Sequence, residues 1–181
     1  TYYIDSDGDG YGDPQIQITA CSTPDGYVEN AQDCVDGDSL IFPGAVELCD
    51  GLDNNCEGSV DEESALGVLD WFLDADGDGY GLDTQVQTSC AQPTGYVAQG
   101  GDCDDADTSI SPGAQEICDG LDNDCDGYSD DLDPSLTGAN VFYLDHDGDG
   151  YGDTQWSVTS CSAPSGYVEN DTDCDDLLAS I

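Results

Sequence analysis

The chain has 181 residues, 42 acidic side chains, no Lys, no Arg and a single His, for a formal net charge of −42. It has no lysine for a phosphate or Schiff base and no arginine clamp. It also has no positive surface for nucleic acid or an anionic membrane, and both are excluded as partners. The acids are 35 Asp against 7 Glu, joined by 23 Gly, a balance that favours tight turns carrying short carboxylates over acidic helix or coil. No apolar run reaches the length of a membrane span and no basic segment marks a signal peptide.

In chain order, Tyr2-Tyr3-Ile4 and Gln15–Thr19 read as two short strands, the second alternating apolar and polar, on either side of an Asp-Gly loop. They form a β-hairpin closed by that loop, and Gly26–Glu29 adds a third strand. Pro43–Leu48, matched by Pro112–Ile117, gives one helical turn at most. The hairpin segment Tyr3–Gly12 returns as Phe72–Gly81 and again as Tyr143–Gly152, at offsets of 69 and 71 residues. Three repeats follow: 1–70, then 71–141 with a linker near 132–140, then 142–181, which stops midway through the unit. That ending reads as a window onto a longer array. The predicted fold class is a small, disulfide- and calcium-rich tandem repeat of short β-hairpins with irregular calcium-binding loops and little helix. Tyr2, Tyr3, Tyr27, Trp71, Phe72, Tyr96 and Tyr167 supply its small core.

Asp5, Asp7, Asp9 and Asp13 occupy positions 1, 3, 5 and 9 of a D-x-D-x-D-G-x-x-D frame, with Gly10 at the reversal and Tyr11 at position 7 offering its carbonyl. Alternate side chains of such a loop converge, and hard oxygen ligands in this number point to Ca²⁺. Asp145, Asp147, Asp149, Tyr151 and Asp153 repeat the frame. Asp74, Asp76, Asp78 and Tyr80 do so with Leu82 at position 9 and Asp83 as its substitute. A second loop closes each full repeat: Asp53, Asn55, Glu57, Ser59 and Asp61, then Asp122, Asp124, Asp126, Tyr128 and Asp130. A third group follows the second cysteine: Asp33, Asp36 and Asp38; Asp102, Asp104, Asp105 and Asp107; Asp173, Asp175 and Asp176. Position 12 of the first loop is Ile16 where an EF-hand carries Glu, so further ligands are expected from Glu47, Asp50, Glu116 or Asp119.

Each full repeat has four cysteines, Cys21, Cys34, Cys49 and Cys56, then Cys90, Cys103, Cys118 and Cys125; the third has Cys161 and Cys174. Pairing first to second and third to fourth leaves no thiol over, which favours Cys21–Cys34, Cys49–Cys56 and their equivalents. Zinc is disfavoured, since there is no C-x-x-C knuckle and His146 lies inside a loop. Disulfides imply an oxidising, extracellular or cell-surface setting.

The run Gly101-Asp102-Cys103-Asp104-Asp105, then Ser111-Pro112-Gly113-Ala114, Glu116–Gly120 and Asp122–Gly127 resembles the bacterial MopE-type metal-binding motif repeats. The Asp-Gly loops separately resemble thrombospondin type 3 repeats. These resemblances imply a secreted, multi-repeat surface protein. The MopE name also implies copper, for which the chain offers no Met and one His. The expected function is a structural calcium-binding repeat, a stalk, spacer or polymerising fibre segment and not an enzyme. Its expected partners are calcium, neighbouring repeats or head-to-tail copies, and glycans, with Asn170-Asp171-Thr172 as a sequon. The alternative is a calcium-dependent adhesin or carbohydrate-binding module.

Overall fold

The computed structural model describes residues 1–173. Three antiparallel sheets of three strands share one topology, with the first strand of each in the centre. They are β1 (Tyr2–Ile4), β2 (Gln17–Ile18) and β3 (Tyr27–Val28); β4 (Leu69–Leu73), β5 (Leu82–Ser89) and β6 (Tyr96–Val97); and β7 (Asn140–Leu144), β8 (Asp153–Ser160) and β9 (Tyr167–Val168). Aromatic and β-branched residues suit these pleated surfaces, and the pairing puts Tyr2 opposite Ile18 and Tyr3 opposite Val28. In the third sheet Phe142 faces Val158, and the register shifts between Tyr143 and Leu144. The only helical element among the described residues is a 3-10 turn, Asp130–Leu132. Pro43–Leu48 and Pro112–Ile117 form turns and extended chain.

The chain clusters into two compact units. One comprises Thr1–Leu73 with Thr84–Gln99, and the other Asp74–Asp83 with the described residues from Gly100 onward. The apolar interior is thin. The buried hydrophobic side chains are Ile41, Ala65, Ile110 and Phe142. Ile41 and Ile110 are equivalent positions of the repeat. The aromatic core expected from the sequence is only half-buried at Tyr2, Tyr3, Tyr27, Trp71, Phe72, Tyr96 and Tyr167, because a sheet of three short strands is too narrow to cover a ring. Ile16 and Ile18 are exposed, so the alternation of the second strand marks no buried face.

Each hairpin packs its loop against the polar segment that follows it. A Cβ on Gly12 would fall 2.7 Å from Tyr3 Cβ and 2.9 Å from both Val28 Cγ2 and the Asn30 carbonyl oxygen, so only glycine fits there. The loops themselves wind through left-handed glycines, Gly8 and Gly10 at φ 85° and 94°, which only glycine adopts at no steric cost.

The cysteine pairing corrects the expectation. The bridges are Cys34–Cys56, Cys49–Cys90, Cys103–Cys125 and Cys118–Cys161. Second pairs with fourth within a repeat, and third pairs with the first of the next. Cys21 is unbonded and exposed, and Cys174 lies outside the described residues. The expectation assumed closure inside each repeat with no thiol left over. The segment after the second cysteine instead folds back on the second loop, leaving the Cα atoms of Cys34 and Cys56 5.7 Å apart. Cys49, beside the Leu48–Leu66 bridge, meets the end of the next hairpin. Asp131 reinforces the equivalent junction, accepting from the Ser160 hydroxyl and the Cys161 amide, each at 2.7 Å.

Candidate metal centres

The first centre forms where a hairpin loop meets the segment after the second cysteine, two features that look separate in sequence. Asp5 accepts from the Gly8 amide at 2.7 Å and shapes the loop. Asp7 accepts from Asp9 N (3.2 Å) and Asp9 from Tyr11 N (2.8 Å), each through Oδ1. Asp33, only 2 % exposed, accepts from Val35 N through its own Oδ1 at 2.8 Å. The Oδ2 atoms of Asp7, Asp9 and Asp33 are all buried without a hydrogen-bond partner. Oxygens of these three residues lie within 4.8 Å of one another, as do those of Asp5, Asp7 and Asp36. Three bonds hold the arrangement: Asp33 N to Gly12 O, Gly12 N to Asn30 Oδ1, and Asn30 Nδ2 to Gly10 O. Asp36 accepts from both the amide and the hydroxyl of Ser6.

The second repeat builds the same centre. Asp76, Asp78 and Asp102 each keep a buried Oδ2 without a partner. Asp74, Asp76 and Asp78 form one close group and Asp76, Asp102 and Asp105 another, with Asp105 accepting from Ala75 N. In the third, Asp145 accepts from Gly148 and Gly150, Asp149 from Tyr151 N, and Asp147 Oδ2 is buried without a partner. Asp173 donates its amide to Gly152 O, while Asp175 and Asp176 lie outside the described residues.

At 4.8 Å, a pair of carboxylates repels by about 3 kcal/mol at an effective dielectric near 20. An acceptor buried without a donor costs about 1–3 kcal/mol more. A cation removes both penalties, and these oxygens fit one. Burial pushes Asp7, Asp33, Asp76, Asp102 and Asp147 above the ordinary value of 3.8. The folded, metal-free protein therefore binds protons more tightly than the unfolded chain, and its stability rises as pH falls toward the ordinary carboxylate range. Asp107, lowered by the Ser109 hydroxyl and amide, opposes this only below 3.8. Chelated protein should be more compact at pH 5 than at pH 7.5, with stronger near-ultraviolet dichroism. A chelated protein that expands further on acidification over that window would contradict it.

The second loops make a different centre. Position 1 stitches the loop: Asp53 accepts from Glu57 N and Gly58 N, and Asp122 from Asp126 N and Gly127 N. In the second repeat, Asp124 Oδ1 and Asp133 Oδ2 are buried without a partner. Their other oxygens accept from the Ser135 hydroxyl and amide. The Tyr128 amide holds Asp126 down, but burial and the neighbouring Asp133, Asp124 and Asp122 outweigh it and leave the group raised. Asp133 is position 12 counted from Asp122, the place that Ile16 holds in the first hairpin loop. In the first repeat that position is Ser64, and the buried, partnerless oxygen is Glu62 Oε2. The neighbouring carboxyl groups of Glu57 and Glu62 compete for one proton, which raises the former and lowers the latter.

Several other expected ligands also accept hydrogen bonds from backbone or side-chain amides. Asp61 accepts from Asp50 N and Gly51 N, and Asp130 from Gly120 N. Glu47 accepts from Asn55 N and Asp61 N, and Glu116 from Asn123 N and Asp130 N. Asp50 and Asp119 receive the amides of the buried Asn54 and Asn123. These residues clamp the backbone under the second loop. Asp13, Asp38, Asp107 and Asp153 each accept from the amide two residues on, and Asp83 accepts from Gly101 N. Asp104 and Ser59 are exposed. The Tyr11 ring stacks on Phe42 with centroids 5.7 Å apart, and the Tyr80 hydroxyl sits 2.7 Å from where a Gly113 Cβ would be. Tyr128 and Tyr151 are exposed.

Two segments, 33–62 and 102–131, match the Cu-binding MopE metal-binding motif. The motif occurs twice. No match is found among curated proteins or among solved structures. The chain is a repeated, disulfide-stabilised β structure carrying a metal-binding motif of non-catalytic type, not an enzyme fold. The match overturns calcium as the cofactor, because the motif is described as copper-binding. All cysteines in both matched segments are in disulfides, the chain has no Met, and His146 lies outside the segments. The buried partnerless donors are all carboxylate oxygens. The matched segments lack the imidazole, free thiolate and thioether ligands that copper favours, and this donor set does not fit it.

Proposed function

We propose that the chain is a structural spacer of an extracellular protein, made of small modules that metal ions lock and disulfides brace. The observation that supports this most is the convergence of buried, partnerless carboxylate oxygens of Asp7, Asp9 and Asp33 between hairpin loop and following segment, with the equivalent oxygens of Asp76, Asp78 and Asp102 also buried without a partner. Such a centre welds two parts of a module that hydrophobic packing holds only weakly. Four disulfides point to an oxidising compartment. The outward surface is acidic and turn-rich, which suits a stalk, a spacer or a fibre segment whose neighbours are further copies of the repeat.

A binding module is the second reading. In its favour is an apolar hollow on the first repeat, lined by Leu40, Phe42, Ala45, Val46 and Leu48. The equivalent residues of the second repeat include Ser109, Ser111 and Gln115.

Digestion tests the spacer reading. Trypsin has no Lys or Arg to cut after, so chymotrypsin is used on non-reduced protein, as isolated and after chelation, with elemental analysis of both samples. Metal-bearing protein should resist for hours and chelated protein should be cut within minutes. Metal-free protein of equal resistance would overturn the reading.

A further inference from the structure

We infer that each hairpin loop holds two metal ions side by side, bridged by one carboxylate, Asp7 in the first repeat and Asp76 in the second. The inference rests on the metal-locked reading above. Asp7 belongs to two close groups, one with Asp9 and Asp33 and one with Asp5 and Asp36. Asp76 likewise belongs to two, with Asp74 and Asp78 and with Asp102 and Asp105. The same five positions recur in both repeats, and the same middle Asp is common to both groups each time. Asp9 and Asp36, like Asp78 and Asp105, always fall in different groups, while Asp5 and Asp33 sit on opposite sides from their equivalents Asp74 and Asp102. Asp33 and Asp102 are 2 % and 5 % exposed, and each aims a buried oxygen without a hydrogen-bond partner into its cluster.

Charge also favours a pair of ions. Five carboxylates meet in each cluster. One divalent ion would leave three negative charges uncompensated in a partly dry pocket, and two leave only one. A carboxylate has enough lone pairs to serve two ions as well as a backbone amide. Asp7 gives Oδ1 to Asp9 N and keeps Oδ2 without a partner. Bridged metals typically sit about 3.5–4 Å apart, a spacing that two groups sharing a residue accommodate. Asp7 and Asp9 lie outside the segments that match the metal-binding motif, whereas Asp33 and Asp36 lie inside. The paired site therefore extends the motif to include the hairpin before it.

Ion counting tests this. The parent and the variants Asp7→Asn, Asp9→Asn and Asp36→Asn are isolated alike and kept non-reduced. Their bound metal, whatever element isolation delivers, is identified by elemental analysis and counted by native mass spectrometry. Asp9→Asn and Asp36→Asn should each lose one ion, and Asp7→Asn should lose two. Asp76→Asn and Asp105→Asn should repeat the two-ion and one-ion losses. Asp36→Asn leaves Asp7, Asp9 and Asp33 in place, so it decides the matter even if Asp7→Asn opens the loop. If Asp36→Asn loses no ion while Asp9→Asn loses one, the site is mononuclear and the inference fails with the metal-locked reading intact. A parent without bound metal overturns both.

Discussion

Excess chelator at neutral pH should expand the protein and erase its tertiary structure while all four bridges stay closed. In the first hairpin cluster, removal of metal leaves Asp7, Asp9 and Asp33 within 4.8 Å of one another, at about 3 kcal/mol of repulsion per pair. Against this the first repeat has two buried apolar side chains, Ile41 and Ala65, each contributing at most about 3 kcal/mol. The three pairs outweigh them, and repulsion wins. The hydrodynamic radius should rise, the near-ultraviolet dichroism of Tyr and Trp should collapse, and both should recover when the original metal is returned. Because disulfides restrain the open chain, the radius should rise further on adding a reductant. A radius and dichroism unmoved by complete removal of metal would refute the central role given to the ions.

Glu116→Ala should be the most damaging single substitution away from the metal centres. The side chain is fully buried and accepts from Asn123 N and Asp130 N, both at 2.8 Å. Truncation leaves two buried amides without an acceptor, at about 1–3 kcal/mol each, and opens a cavity besides. A loss of about 3–5 kcal/mol is comparable to the whole stability of a small domain. Thermal melts should show the second repeat unfolding far below the parent, with Glu116→Gln intermediate because its amide oxygen restores one acceptor. Metal content of folded Glu116→Gln should match the parent. A lower content would reinstate Glu116 as a ligand.

The hairpins and their spacing were legible in sequence because short aromatic strands on either side of Asp-Gly loops leave few alternatives. The third strand at Tyr27–Val28 was legible for the same reason. The grouping of the acids was not. Asp7 and Asp33 are 26 residues apart, and nothing local says that Asn30 will draw the two segments together. Regular spacing marks Asp13, Asp61 and Asp130 as candidate ligands but does not show that they also cap backbone amides of their short loops. Asp133 had a signal in its place at position 12, obscured by the linker around it. The cysteine pairing failed because economy of thiols is not a physical constraint, whereas the reach of a folded turn is.

The bridges also interlock, since Cys49 lies between Cys34 and Cys56 and pairs beyond them. A pull along the chain from Cys34 toward Cys103 passes through sulfur to Cys56, back seven residues to Cys49, through sulfur again to Cys90, and on for thirteen. The covalent path is about twenty residues in place of sixty-nine, roughly 70 Å at full extension against about 240 Å. Even with every ion gone, one period of this strand could lengthen under tension to only about a third of what its backbone would allow. It would behave as a tether with a hard stop.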